Sequence, residues 1–381
     1  MVIRGAEVLC EDYRFRQKDV GMEDGIFVEN GRGTVEDASG CYAVPGLVDV
    51  HFHGCVGEDI SDGSAEGLAR MARYEAGRGI TTIVPAVMTL PAPRLMEICD
   101  MAASFSGEEG AVFAGIHLEG PYLSGKKKGA QNGAFLQKPD AEQMGRFCEA
   151  AGGMLRIMTI APELEGAEEV IRAFSPVCGM SIGHTDCDYE TARQAFRWGA
   201  DGVTHLFNAM NGLHHREPGA AAAALEDSRC MVEMICDGIH VHPAVVRLAY
   251  RLLTAERMVL ISDSMRAAGM PDGIYTLGGQ DVEVRGKHAF LKGTETLAGS
   301  ASDLMDCVRT AVEEVGLDLA SAIRCASENP ARRARIFDQC GSITPGKRAD
   351  LVLLDRQLKV RAVYVRGKKQ KIWEDNQQTR L

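Results

Sequence analysis

Eight short apolar runs recur along the middle of this 381-residue chain, separated by stretches whose apolar residues fall at helical spacing. The runs are "LVDVHFHG", "TTIVPAV", "VFAGIHLEG", "LRIMTIAPE", "CGMSIGHTD", "GVTHLFNAM", "CMVEMICDG" and "RMVLISDS". Such alternation is the pattern of βα units around a parallel sheet, and eight units predict an α/β fold of the closed (β/α)8, TIM-type kind. The helical stretches carry their own punctuation. In "SAEGLARMARYEAGRG" and "DYETARQAFRWGADG" a capping Ser or Asp opens the segment and a Gly closes it.

The two ends of the chain have another texture. "AEVLCED", "GIFVENGRG" and "GCYAVPG" near the start, and "GSITPGKRADLVLLDRQLKVRAVYVRGK" near the end, read as short strands joined by polar turns. Neither end has enough apolar material to fold alone. They are expected to meet in one small β-sandwich domain of residues 1–46 with 343–381, leaving 47–342 as the barrel. One irregularity, "GIYTLGGQDVEVRGKHAFLKGTETLAGS", reads as a hairpin inserted before the last barrel helix.

With 45% hydrophobic and 25% charged residues the chain has an ordinary globular composition. A net charge of −11 argues against nucleic-acid or membrane partners, which need a basic face, and leaves small anions open. Twelve cysteines without a single C-x-x-C pair indicate reduced thiols and a cytoplasmic protein. The charged start, "MVIRGAEVLCEDYRF", does not look like a secretory signal, and no run reaches membrane-spanning length.

In a barrel of this type chemistry gathers at the C-terminal ends of the strands, and there the polar residues cluster. His51 and His53 close run one, Glu119 run three, His184 run five, His205 run six and Asp263 run eight, while His240 follows run seven. Residues two apart on a strand face the same way, so His51 and His53 can hold one metal ion together. Two hydrogen-bonded core histidines are the plainer alternative, weakened by the four further ionisable groups at equivalent positions. Glu119, His184 and His205 form a set of two histidines and one carboxylate, suited to zinc or iron with positions left for water and substrate. Asp263 is placed to move protons as a general acid/base. His117, on the same face as Glu119 but deeper, reads equally as a support or a core group.

The loops add weaker signals. "HHREPG" after strand six sets Arg216 on a stiff turn, as a phosphate clamp or as solvated charge. The lysines of "SGKKKGAQN" read as surface, with Gln131 able to reach inward. "TLAGS" offers backbone donors of the kind that touch anionic or sugar ligands.

As a set, "PGLVDVHFHG", "GIHLEGPYLSGKKKGAQN", "SIGHTD", "THLFNAMNGLHHREPG", "CDGIHVHP", "ISDSMRAAGMPDGIYTLGG", "TLAGSASDL" and "SENPARRARIFDQCGSITPGKRADLVLLD" resemble the N-acetylglucosamine-6-phosphate deacetylases of the amidohydrolase superfamily. The pieces stand in family order over nearly the whole chain. The resemblance implies one or two divalent ions per subunit, zinc or iron: a principal one on Glu119, His184 and His205 and, as in those members that keep the H-x-H pair, a second on His51 and His53, with Asp263 as acid/base. It places an amino-sugar phosphate against Ala130, Gln131, Asn208, Ala209, Asp237, Gly238, Ile239, His240, Leu297, Ala298 and Gly299. It also implies a homodimer in which Arg216 reaches the neighbouring site. The chain departs from many members at Gln131, where they carry a His thought to polarise the acetyl carbonyl; Gln can donate a hydrogen bond but cannot carry charge.

Three rival readings follow. A deacetylase for the galactosamine isomer or another N-acyl sugar phosphate would use the same site. Cyclic-amide hydrolases of the superfamily typically carry a Lys on strand four, and "LRIMTIAPE" has none. A non-catalytic scaffold would be expected to have lost ligands that this chain retains.

Overall fold

The computed structural model describes residues 1–373. The eight apolar runs form a ring of parallel strands. Leu47–Asp49 pairs with Ile80–Ile83, whose continuation Ala86–Val87 pairs with Ile116–Glu119; Val112–Phe113 precedes the latter and joins the same neighbour. Leu155–Ile160, Gly179–Ile182, Gly202–Val203, Met231–Ile235 and Met258–Ile261 then follow in sequence order, each parallel to the one before. The eighth strand returns to the first just past their ends: the Asp263 N–H donates to the His51 carbonyl at 2.9 Å and the His53 N–H to the Ser264 carbonyl at 2.7 Å. Closure at that level brings the ends of strands one and eight, with their polar residues, to one side of the mouth.

These strands are buried on both sides, by the helices and by the barrel interior, so most of their residues are apolar. "MVLI" and "GMSI" are buried at every position. The helices begin where the sequence signals them. Ser64 caps Ala65–Gly77, accepting from the Gly67 N–H, and Asp188 caps Tyr189–Trp198, accepting from the Thr191 N–H.

The chain termini build two further sheets. One is ordered Ile26–Val28, Val20–Glu23, Val2–Arg4, Val35–Asp37; in the other, Leu351–Leu354 lies antiparallel between Tyr42–Pro45 and Val360–Val365. Ile3, Val8, Val20, Met22, Phe27, Leu351, Leu353 and Tyr364 fill the space between the sheets. Val44, Val352, Leu354 and Val363, on the opposite face of the second sheet, join the barrel's own core. Of the segment expected to complete this unit, residues 374–381 lie outside the described residues.

The insertion after strand eight is larger than the expected hairpin. Gly273–Leu277, Gln280–Arg285 and His288–Leu291 form a three-stranded antiparallel sheet. Leu277, Val282, Val284 and Ala289 pack with Met88, Met265 and Ala298, which seats the sheet against the barrel mouth. Among the described residues, no helix is long and apolar enough to cross a membrane.

Candidate active site

Three strands end abruptly at the mouth. His184, His205 and Asp263 have left-handed backbones, with φ of 47°, 30° and 50°, a conformation that costs non-glycine residues about 1 kcal/mol or more each. Each turn ends its strand and leaves the side chain at the rim.

There Glu119 Oε1 lies 2.9 Å from His184 Nε2 and 3.0 Å from His205 Nε2, and the two imidazole nitrogens are 3.1 Å apart. His53 Nε2 stands 3.6 Å from Glu119 Oε2 and 3.1 Å from Asp263 Oδ1. Behind them His51, with no exposed surface, points Nε2 at Glu119 Oε1 and Asp263 Oδ1 from 3.5 and 3.6 Å.

The outer nitrogens assign the tautomers. His184 Nδ1 is 2.9 Å from the Lys127 carbonyl and His53 Nδ1 is 2.8 Å from the Ala86 carbonyl, so each Nδ1 carries a proton to donate. In the neutral rings Nε2 is then a lone pair facing carboxylate oxygens, an arrangement that repels unless something positive sits between. Burial pushes the His51 and His53 imidazoles down, yet Glu119 and Glu233 hold His51 well above its usual range, and Asp263 with Glu119 raises His53 to about 9. The cluster therefore calls for positive charge.

A divalent cation answers that demand. The ligand atoms of a tetrahedral zinc stand about 3.3 Å apart, close to the spacing of the Glu119, His184 and His205 atoms. His51 Nε2, His205 Nδ1 and Asp263 Oδ1 have no hydrogen-bond partner among the described residues, although all are buried. Three groupings bring potential ligand atoms together: Glu119 with His184 and His205, His51 with His53 and Glu119, and, behind these, His51 with His117 and Glu233.

Burial drives the Asp263 carboxyl up, but the imidazoles of His53, His51 and His205 prevail and hold it down at about 2. His117 differs. Burial, reinforced by His51, lowers it to about 3, and both its nitrogens are occupied, by the Val50 carbonyl and by the Thr159 hydroxyl at 2.7 Å. It is a neutral supporting residue.

A cavity of about 360 Å³ opens above the cluster. His53, Glu119, Ala130, Gln131, His184, His205, Asn208, Ala209, His240, Asp263, Leu297 and Gly299 line it. Other residues named from the sequence stand back from it. Asp237 accepts from the Ile239 and His240 N–H groups and from His240 Nδ1 at 2.7 Å, orienting that ring. Ala298 is buried in the core of the inserted sheet, and Gly238 and Ile239 are not among the lining residues. Arg216 borders a separate cavity with Asp186, Tyr189 and Asn211.

Three features escaped the sequence reading. Lys126 and Lys127, expected at the surface, line the cavity, and Lys127 also supplies the carbonyl that orients His184. Gln131 is fully engaged: its amide NH2 donates to Glu119 Oε2 at 2.5 Å while its oxygen accepts from the Thr89 N–H at 2.8 Å. Glu233, inside strand seven, holds His51 Nδ1 at 2.9 Å. A carboxylate amid "CMVEMICDG" is the signal that could have found it.

The sequence signature of the amidohydrolase family matches residues 42–370. The chain belongs to the amidohydrolase family. This amidohydrolase is 36% identical to the N-acetylglucosamine-6-phosphate deacetylase of Bos taurus, over 98% of its own length and 94% of the bovine chain. It is 35% identical to the N-acetylgalactosamine-6-phosphate deacetylase of Escherichia coli O157:H7, over 96% and 98% of the two chains. Its fold is similar to that of the N-acetyl-D-glucosamine-6-phosphate deacetylase of Mycobacterium smegmatis, solved as an Asp-to-Ala mutant in complex with N-acetyl-D-glucosamine-6-phosphate. The TM-score is 0.91 at 34% identity, over 98% and 99% of the chains.

Proposed function

We propose that this amidohydrolase hydrolyses the acetamide of N-acetylglucosamine 6-phosphate to acetate and glucosamine 6-phosphate, in amino-sugar catabolism. The observation that carries the reading is the convergence of Glu119, His184 and His205 ligand atoms beneath an open cavity with Asp263 beside them. The full-length similarity to deacetylases of that substrate supports the choice of bond and sugar.

Glu119, His184 and His205 would hold one divalent ion, zinc or iron, and His51 with His53 a second. Bound there, such an ion supplies Lewis acidity, acidifying water and polarising an amide carbonyl. Asp263, ionised at neutral pH, takes a proton from the attacking water as the new C–O bond forms. It returns that proton to the sugar nitrogen as the C–N bond breaks, so the amine leaves neutral. His240, oriented by Asp237, and Asn208 hold the sugar, with Ala130, Ala209, Leu297 and Gly299 shaping its bed and Gly238, Ile239 and Ala298 backing them. Gln131 braces Glu119 from the cavity wall.

For the phosphate, Lys126 and Lys127 stand on the cavity wall, and Arg216 adds a further cation in a homodimer by serving the neighbouring subunit's site. Catalysis is confined to residues 47–342, with 1–46 and 343–381 as a supporting unit. The charged substrate fits a cytoplasmic enzyme.

The test is acetate release by metal-loaded protein from N-acetylglucosamine 6-phosphate, its galactosamine isomer and the unphosphorylated sugar. Turnover of the first far above the others is expected. No acetate from any of the three rejects the deacetylase reading.

A further inference from the structure

Glu233 sits inside the seventh barrel strand, Met231–Ile235, with no exposed surface, on the floor beneath the candidate active site. Burying a carboxylate there is costly unless the charge is used. Its Oε2 lies 2.9 Å from Nδ1 of His51, which is equally buried. Nε2 of the same ring points at Glu119 Oε1 and Asp263 Oδ1 from 3.5 and 3.6 Å, without a hydrogen-bond partner among the described residues.

The comparison with the neighbouring imidazoles sets Glu233 apart. His53 and His184 give their Nδ1 protons to backbone carbonyls, those of Ala86 and Lys127. A backbone carbonyl fixes a tautomer but brings no net charge. His51 has a full carboxylate behind it instead, which both fixes the ring and raises the basicity of Nε2, the two properties that strengthen a metal ligand. Glu233, Glu119 and Asp263 together carry more negative charge around His51 than one divalent ion cancels.

We propose that Glu233 is a positioning residue that holds His51 with Nε2 turned to the cation site and thereby sets the affinity of the His51–His53 pair for a second divalent ion. The Glu119–His184–His205 set, whose outer contacts do not include Glu233, is left unaffected. This rests on the function proposed above only in that both need the mouth to bind metal.

The experiment strips the full-length protein with chelator and titrates zinc back against a chromophoric chelator, for wild type and Glu233→Gln. Wild type takes up two ions. The variant keeps the first with unchanged affinity and binds the second about 10- to 100-fold more weakly. Melting curves of the stripped proteins confirm that both are folded. Should Glu233→Gln fail to fold, Glu233→Asp, which keeps the charge but draws it back by one methylene, is read the same way. A variant that binds both ions like wild type overturns the proposal, as does a wild type with a single site. Two tight ions in wild type without acetate release would instead sink the deacetylase reading and leave the role of Glu233 standing.

Discussion

The barrel mouth and the small β-unit are both well buried, yet they are built on opposite terms. Between the β-sheets, Ile3, Val8, Phe27, Leu351 and Leu353 meet side chains of their own kind, and the strands carry regular ladders. At the mouth, His184, His205 and Asp263 hold left-handed backbones, lone pairs face carboxylates, and several buried nitrogens and oxygens lack protein partners among the described residues. Stability is given up at one end of the molecule and gathered at the other. Substitutions at the mouth should therefore remove turnover with little loss of fold, and those in the β-unit the reverse.

The largest effect is expected from Glu119→Ala, which deletes the carboxylate that four imidazoles approach. Ion content measured by atomic absorption should fall and acetate release should drop to background, while the chain stays folded; retained turnover would break the contrast. Asp263→Asn comes next. It should retain its ions and lower kcat by about 10²- to 10⁴-fold, the usual worth of a general acid/base. In the β-unit, Leu351→Ala should cost about 2–5 kcal/mol in urea unfolding with kcat per folded molecule unchanged.

The smallest effect is a pH dependence. His117 is held at about 3 in the fold and returns to about 6.5 when unfolded, so the unfolded chain takes up a proton that the native one refuses. Its contribution is intact above pH 6.5 and is lost as pH falls from there toward 3, by about 2 kcal/mol at pH 5. His117→Gln can make similar hydrogen bonds without titrating. The stability difference between wild type and variant, measured in denaturant at pH 7.5 and 5, should shift by that amount, and an unchanged difference would remove His117 from the account.

Much of this was legible in the sequence because a closed parallel barrel converts strand ends into one ring, so residues far apart in the chain are placed together by topology alone. Glu119, His184, His205 and Asp263 stand at the ends of their runs and meet at the mouth for that reason. Contacts that depend on stagger and side-chain reach were not legible. Glu233 sits in the middle of its run, and only the register of strands seven and eight against strand one brings it to His51. Gln131 looked free to face a substrate, yet the fold commits its amide to Glu119 and the Thr89 N–H. The lysine run looked solvated because charge alone says so; its backbone turns under His184 and places Lys126 and Lys127 on the cavity wall. The inserted sheet gained a third strand for a similar reason: "KHAFLKG" is too short and polar to announce itself, and it pairs because Ala289 closes a core with Val282 and Val284.

The central claim is that the ion demanded by Glu119, His184 and His205 is what makes the mouth reactive, and one titration tests it. Zinc or iron is returned in steps to stripped protein while acetate release from N-acetylglucosamine 6-phosphate is followed. Turnover should be absent at the start and climb with the first bound equivalent. Full turnover by the ion-free chain would contradict the account.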